Sequence, residues 1–253
     1  SRSGSTSEAV ALAERATAAG HPVVAVTCRP ASPLAAAATM RLVSPRGDET
    51  AIVMTRSFTS MLALLLRVIA GMATESAEGR RLADDLDGLP DRWSEASAAA
   101  ALAPGIAGAV AWSRVVVLGG GASFAIASEA GLKLTETGRV PSDVYQPLEF
   151  RHGPMSVIEP GVLVVGLLAD SAGADEEKVI GEAVDLGAYP WVLGPTMSAI
   201  GLESVALGDG LHPLARLPLL LPPIQALALS IAIARGCDPD QPRHLDQVVL
   251  LQS

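Results

Sequence analysis

Apolar and polar positions divide the chain into two cycles of helix and strand. Apolar residues recur at helical spacing over residues 7–19 (Val10, Leu12, Ala13, Ala16), and Gly20 supplies a C-terminal stop. The unbroken run Val23-Val24-Ala25-Val26-Thr27 predicts a buried parallel strand. Ser32-Pro33-Leu34 starts a helical piece of one or two turns, and Thr39-Met40-Arg41-Leu42-Val43 is a second strand candidate. A loop over 45–48 precedes a long apolar helix from about Thr55 to Gly71. Residues 75–90 are charged, with Leu82 and Leu86 at helical spacing, and an alanine-rich helix over 91–110 is expected to stop near Pro104-Gly105.

The second cycle opens on the strand Val115-Val116-Val117-Leu118, the turn Gly119-Gly120-Gly121 and a helix from Ser123. Pro141-Ser142-Asp143 reads as a turn before Val144-Tyr145. A strand over 162–168, a charged helix over 175–186, a strand at Trp191-Val192-Leu193 and a weaker one at Val205-Ala206-Leu207 follow. Residues 213–223 read as a proline-punctuated loop, 224–235 as a helix capped by Gly236, and 237–253 as a polar tail. Strand–turn–helix–strand repeated twice predicts an α/β fold with parallel sheets flanked by helices. The expected division is a first domain over 1–88, a linker helix over 89–108, a second domain over 109–236 and a tail over 237–253. The first domain opens on a loop with no strand before it, and so is expected to be incomplete at its N-terminus.

Composition narrows the function. The net charge of −9 in 253 residues argues against a nucleic-acid or anionic-membrane surface, so any anionic ligand must be held by local dipoles and a few arginines. The two cysteines, Cys28 and Cys237, have no paired spacing; this fits a reducing cytoplasm and no metal site. Proline and glycine interrupt each apolar run before the roughly 18 residues that a membrane span requires, and no signal peptide is visible. Lysine occurs only at Lys133 and Lys178.

Three clusters could carry chemistry. Ser1-Arg2-Ser3-Gly4-Ser5-Thr6-Ser7-Glu8 opens a helix. It reads either as an N-cap with Glu8 in the first turn, or as a cradle in which hydroxyls, backbone amides, the helix dipole and Arg2 hold a phosphate. Glu129, Lys133 and Glu136 share one helix face at i, i+4 and i+7. They form either a solvated ion-pair row or, on a buried helix, a carboxylate base with a neighbouring cation. His152, fixed between Arg151 and Gly153-Pro154, is either an exposed loop residue or a general acid/base, with Glu149 orienting it or pairing Arg151. The glycine turn at 119–121 matches a dinucleotide fingerprint poorly. His21 reads as structural, His212 has no assigned role, and His244 beside Arg243 is a ligand contact or a tail salt bridge.

Taken in order, six segments resemble the double sugar-isomerase (SIS) family over nearly the whole chain. They are residues 1–6, Glu49 with Thr55-Arg56-Ser57-Phe58-Thr59, Gly119-Gly120-Gly121, residues 129–136, Glu149-Phe150-Arg151-His152-Gly153-Pro154 and residues 238–245. The resemblance implies two flavodoxin-like domains, a homodimer with its site completed across the interface, and isomerase or deaminase chemistry on a hexose or hexosamine 6-phosphate without metal or organic cofactor. It implies phosphate contacts from Ser1, Arg2, Ser3 and Thr6, a proton-shuttling Glu136 supported by Lys133 and Glu129, ring opening by His152, and a tail folding over the sugar at Arg243 and His244. It also implies a tail lysine for imine formation, and that position is Gln247. A sensor that binds phosphosugar without chemistry is the alternative.

Overall fold

The computed structural model describes residues 1–168, 173–196 and 204–248. The chain forms two compact units, Ser1–Gly79 with Asp240–Ser253, and Arg80–Pro239. The boundary falls in the first turn of a helix, and the tail belongs to the first unit rather than the second.

The first unit contains α1 (Ser7–Ala18), β1 (Val24–Thr27), α2 (Pro33–Ala37), β2 (Met40–Val43) and α3 (Arg56–Met72). β1 and β2 pair in parallel, with Val24 opposite Met40 and Thr27 opposite Val43. The apolar run at 23–27 predicts burial on both faces, but Val24 is 47% exposed and its partner Met40 55%. Only alternate positions, Ala25 and Thr27, are buried, so this is a half-buried strand read as a fully buried one. Ala13, Ala25 and Leu34 form its small core. Ser1 and Arg2 run beside the carboxyl end of β1, with Ser1 N on the Val26 carbonyl at 3.0 Å and Cys28 N on the Arg2 carbonyl at 3.0 Å.

The second unit holds α4 (Ala77–Ala100, whose first turn carries the boundary), α5 (Ala103–Ala109), β3 (Arg114–Gly119), α6 (Ser123–Gly138), β4 (Ser142–Tyr145), α7 (Pro147–Phe150), β5 (Val162–Leu167), α8 (Gly173–Asp185), β6 (Tyr189–Gly194), β7 (Ser204–Ala206) and α9 (Pro213–Ala234). All strand pairs are parallel in the order β4-β3-β5-β6-β7, the doubly wound order of flavodoxin-like folds. The predicted turn at 141–143 is instead the start of β4, because Ser142 and Asp143 pair with Val115 and Val116. Strand alternation splits the core. Val116, Leu118, Val162, Val164 and Val192 meet Phe150, Val179 and Ile180 from α7 and α8. The opposite face is covered by α6, with α9 packed beside it and α5 beside α9.

The region expected as a loop over 213–223 is the first half of α9, with Pro213 in its first turn and Pro218, Pro222 and Pro223 inside. Each internal proline removes a helical hydrogen bond, at about 3 kcal/mol. Burial of Leu217, Leu219, Leu220, Leu221, Ile224 and Leu227 on several sides offsets this. The same stretch makes α9 long and apolar enough for a membrane span by length and composition, against the sequence expectation, although most of it is buried in the unit's core. His212, unassigned in the sequence, caps α9: its Nδ1 accepts from Leu214 N at 3.1 Å.

The entry to α3 depends on Glu49. Its carboxylate accepts from Thr55 N at 2.9 Å, Thr55 Oγ1 at 2.8 Å, Arg56 N at 3.3 Å, Ser57 N at 3.0 Å and the Ser57 hydroxyl. Burial raises its pKa, but the Ser57 and Thr55 hydrogen bonds outweigh that and hold it below the usual carboxylate value of 4.5. A folded-state pKa below the unfolded one stabilises the fold fully above the unfolded value, and that contribution disappears as pH falls through the folded one. Glu49→Gln is therefore expected to cost about 1–3 kcal/mol at pH 7 by urea denaturation, with the deficit shrinking in acid. An equal deficit at pH 7 and pH 3 would contradict this.

Candidate active site

In the first unit, residues 1–6 form a hydroxyl-lined loop at the start of α1. Ser1 Oγ and Thr6 Oγ1 are 3.1 Å apart, Gly4 N donates to Ser1 Oγ at 3.2 Å, and Ser5 N donates to Ser3 Oγ at 3.2 Å. Gly4 takes φ +62, and a methyl there would lie 2.1 Å from Ser32 Oγ, so the loop folds this tightly only with glycine. Thr6 is the N-cap residue of α1, yet its side chain makes no cap hydrogen bond. The capping-box alternative is thus not realised, and the positive end of a 12-residue helix faces a ring of hydroxyls.

Arg2 is buried, at 4% exposure. Its guanidinium donates to the Ala51 carbonyl and, at 3.4 Å, to the carbonyl of Gln247 in the tail. Among the described residues no carboxylate pairs with it, a costly state for a buried ion and a strong attraction for an anion. The Gln247 side chain donates to the Thr50 carbonyl at 3.1 Å. Both tail contacts escape sequence reasoning, which marks Gln247 only as an absent lysine. Arg243 and His244 are exposed, and His244 takes φ +64.

In the second unit, α6 brings Glu129, Lys133 and Glu136 together. Small residues let the helix approach its neighbours. A methyl at Gly131 would lie 2.5 Å from Val144 of β4, and one at Gly138 3.0 Å from Ile231 of α9. The exposed row is Ala125, Ser128, Leu132 and Thr135, which leaves the three ionisable residues on a buried flank. Lys133 Nζ lies 2.6 Å from Glu136 Oε2 and 3.5 Å from Glu129 Oε1; side-chain exposures are 5% for Lys133, 7% for Glu129 and 24% for Glu136. The solvated-row alternative therefore fails. The 3.5 Å contact is an ion pair without hydrogen-bond geometry, and Glu129 Oε1 is buried with no hydrogen-bond partner. Burial pushes the Glu129 carboxyl up to about 7, with Lys133 opposing and Glu136 adding to the shift. Near neutral pH this cluster can gain or lose one proton internally, while Glu136 is the member that reaches outward.

His152 sits in the turn after α7, exposed, its N–H on the Glu149 carbonyl at 3.0 Å. Arg151 pairs with Glu182 at 2.6 Å, so Glu149 is not its partner. The His152 side chain is not bonded to the α6 cluster. His21 is exposed at the end of α1, where its N–H caps the Ala16 carbonyl at 3.0 Å. Among the described residues no cluster of three or more His, Cys, Asp or Glu could hold a metal ion.

Comparison with known proteins places this geometry in context. The SIS domain model matches residues 1–70 and 110–179. The whole chain is 30% identical to the glutamine–fructose-6-phosphate aminotransferase [isomerizing] of Zymomonas mobilis, and also 30% identical to that of Aeropyrum pernix, covering 43% of each. The chain thus spans less than half the length of the curated relatives it matches. Among solved structures it resembles glucosamine-6-phosphate deaminase from Thermotoga maritima, with TM-score 0.80 and 27% identity over 99% of this chain and 74% of that one. The C-terminal domain of glucosamine-fructose-6-phosphate aminotransferase from Francisella tularensis shares the fold, with TM-score 0.85 and 20% identity over 96% of this chain and 72% of that one. With the family model matched over more than half of its residues, in a segment from each of the two units, the chain belongs to the SIS domain family.

Proposed function

We propose that this chain binds a hexose or hexosamine 6-phosphate and moves a proton between its C1 and C2, as an aldose–ketose isomerase or an amino-sugar-phosphate deaminase. The observation that carries the reading is the Glu129–Lys133–Glu136 cluster, with a buried carboxyl poised near pH 7 beside a buried ammonium. The hydroxyl loop and the uncapped helix terminus of the first unit support phosphate binding by Ser1, Arg2, Ser3 and Thr6.

In this reading His152 donates and accepts the protons that open the sugar ring. Glu136, the most accessible member of the cluster, takes the C2 proton of the open-chain aldose. The electron pair left behind becomes an enediolate across C1 and C2, and the Lys133 ammonium stabilises its negative charge. Glu136 then returns the proton to C1, and the hydroxyl proton passes from O2 to O1, giving the ketose. Glu129 tunes Lys133: neutral, it leaves the ammonium to Glu136 and substrate; ionised, it draws the charge back. Acid and base groups suffice for this chemistry, so the reading invokes no cofactor. The exposed His152, unattached to the cluster of its own chain, supports a homodimer in which it serves a second copy's site.

Amino transfer through an imine lacks its lysine, because the tail has none and the Gln247 amide is held by Thr50. That same contact supports the second reading, a phosphosugar sensor that retains the cradle without turnover.

Glu136→Gln is expected to lower turnover of glucosamine 6-phosphate, or of fructose 6-phosphate with ammonia, by about 10²- to 10⁴-fold with ligand affinity kept within a few-fold. Normal turnover in that variant would reject Glu136 as the base, and saturable binding without product in the wild type would favour the sensor. Ser3→Ala is expected to weaken inorganic phosphate binding by about 3- to 10-fold in calorimetry, the loss of one hydrogen bond. Unchanged affinity would remove Ser3 from the cradle.

A further inference from the structure

The second unit carries its own glycine turn at the place where doubly wound sheets receive ligands. The strand order reverses between β3 and β5, and the crevice outside their carboxyl ends is the usual binding position. Gly119-Gly120-Gly121 closes β3 there and feeds α6, with Ser123 N on the Gly120 carbonyl at 3.0 Å and Phe124 N on the Gly121 carbonyl at 3.2 Å. Each glycine has a separate steric reason. A methyl at Gly119 would lie 2.9 Å from Ala127 Cβ, and Gly121 has φ +51.

Gly120 is different, because what excludes a side chain there is an anion. A methyl on Gly120 would lie 1.8 Å from Oε1 of Glu176, 2.9 Å from its Cδ and 3.6 Å from Oε2. Glu176 stands in the first turn of α8, the helix that follows β5, and is 7% exposed. Its carboxylate therefore lies directly against the turn from the other side of the switch point. The first unit offers the contrast: among the described residues no carboxylate hydrogen-bonds or ion-pairs with residues 1–6.

We propose that Glu176 is a built-in occupant of the second glycine turn, filling with the protein's own carboxylate the position a phosphate would take, so that the chain binds one oxyanion rather than two. Glu176 is then a specificity-determining residue, acting by exclusion: its charge and bulk keep phosphate from the second switch point and leave the first loop as the anion site. Gly120 is glycine because the carboxylate needs the space of a Cβ. Only the comparison with the first loop draws on the phosphate reading given above; the contact between Glu176 and Gly120 stands without it.

Calorimetric titration of the whole chain with inorganic phosphate tests this by counting sites. Glu176→Ala is expected to bind one more phosphate per chain than the wild type, while Glu176→Gln, which keeps the turn filled, binds the wild-type number. An unchanged count in a folded Glu176→Ala overturns the proposal. Should that variant fail to fold, the amide resonances of Gly120, Gly121 and Ser123 decide, since they shift when Glu176→Gln neutralises the adjoining carboxylate. Amides that stay in place overturn it equally. A wild-type count of zero would reject phosphate binding by the first loop instead, leaving the increment in Glu176→Ala as the measure of Glu176 alone.

Discussion

The constraint on which the α6 cluster depends is an ammonium held out of water between two carboxylates on one helix. Lys133 is one of only two lysines, and its side chain is 5% exposed. A buried ion is costly unless paired, and here the pairing is uneven: 2.6 Å to Glu136 and 3.5 Å to Glu129. That asymmetry gives the carboxylates different roles. Glu136 stays in a close ion pair with its outer edge accessible, and Glu129 is left desolvated with an orphan oxygen and a pKa near neutrality. The arrangement requires α6 to be buried along most of its length, which is why Ala127 faces Gly119 of β3, Gly131 faces β4 and Gly138 faces α9. Removing the close packing would hydrate the cluster and return Glu129 to an ordinary carboxyl.

The two units treat similar local chemistry in opposite ways. Both have a tight turn opening a helix, as repeated α/β construction provides. In the first, the hydroxyls of Ser1 and Thr6 bond each other rather than the helix amides, and a buried guanidinium lies close by whose partners among the described residues are carbonyls. That combination favours an incoming anion. In the second, a carboxylate already lies against the turn. Glu49 does the same at the start of α3, where five donors converge on one carboxylate. At α1 the acidic residue of the first turn is Glu8, and among the described residues no carboxylate hydrogen-bonds or ion-pairs with the loop at 1–6, unlike the carboxylates set against the other two turns.

Much of the fold is legible in the pattern of apolar runs. Val115 to Leu118 and Val162 to Leu167 are continuous because these parallel strands are covered on both faces, whereas the equally apolar run at 23–27 is buried only at alternate positions. The failures share a cause. Pro218, Pro222 and Pro223 argue locally for a loop, and only the surrounding core makes α9 a helix. Ser142 and Asp143 look like a turn after Pro141, and only their register with Val115 and Val116 makes them strand. At the site, the spacing of Glu129, Lys133 and Glu136 shows a shared face but not whether water reaches it. Burial decides between a surface ion pair and a poised base, and burial depends on partners far away in sequence. Gln247 and Glu176 were beyond reach for the same reason, since their contacts with Thr50 and Gly120 are long-range.

The most direct test is a carbon-13 carboxyl NMR titration of Glu129 in the folded chain. A midpoint near 7 is expected, moving higher still when Lys133→Met removes the opposing cation. A midpoint near the ordinary glutamate value of about 4.3, insensitive to Lys133→Met, would show that water reaches the cluster and would contradict a poised internal carboxyl.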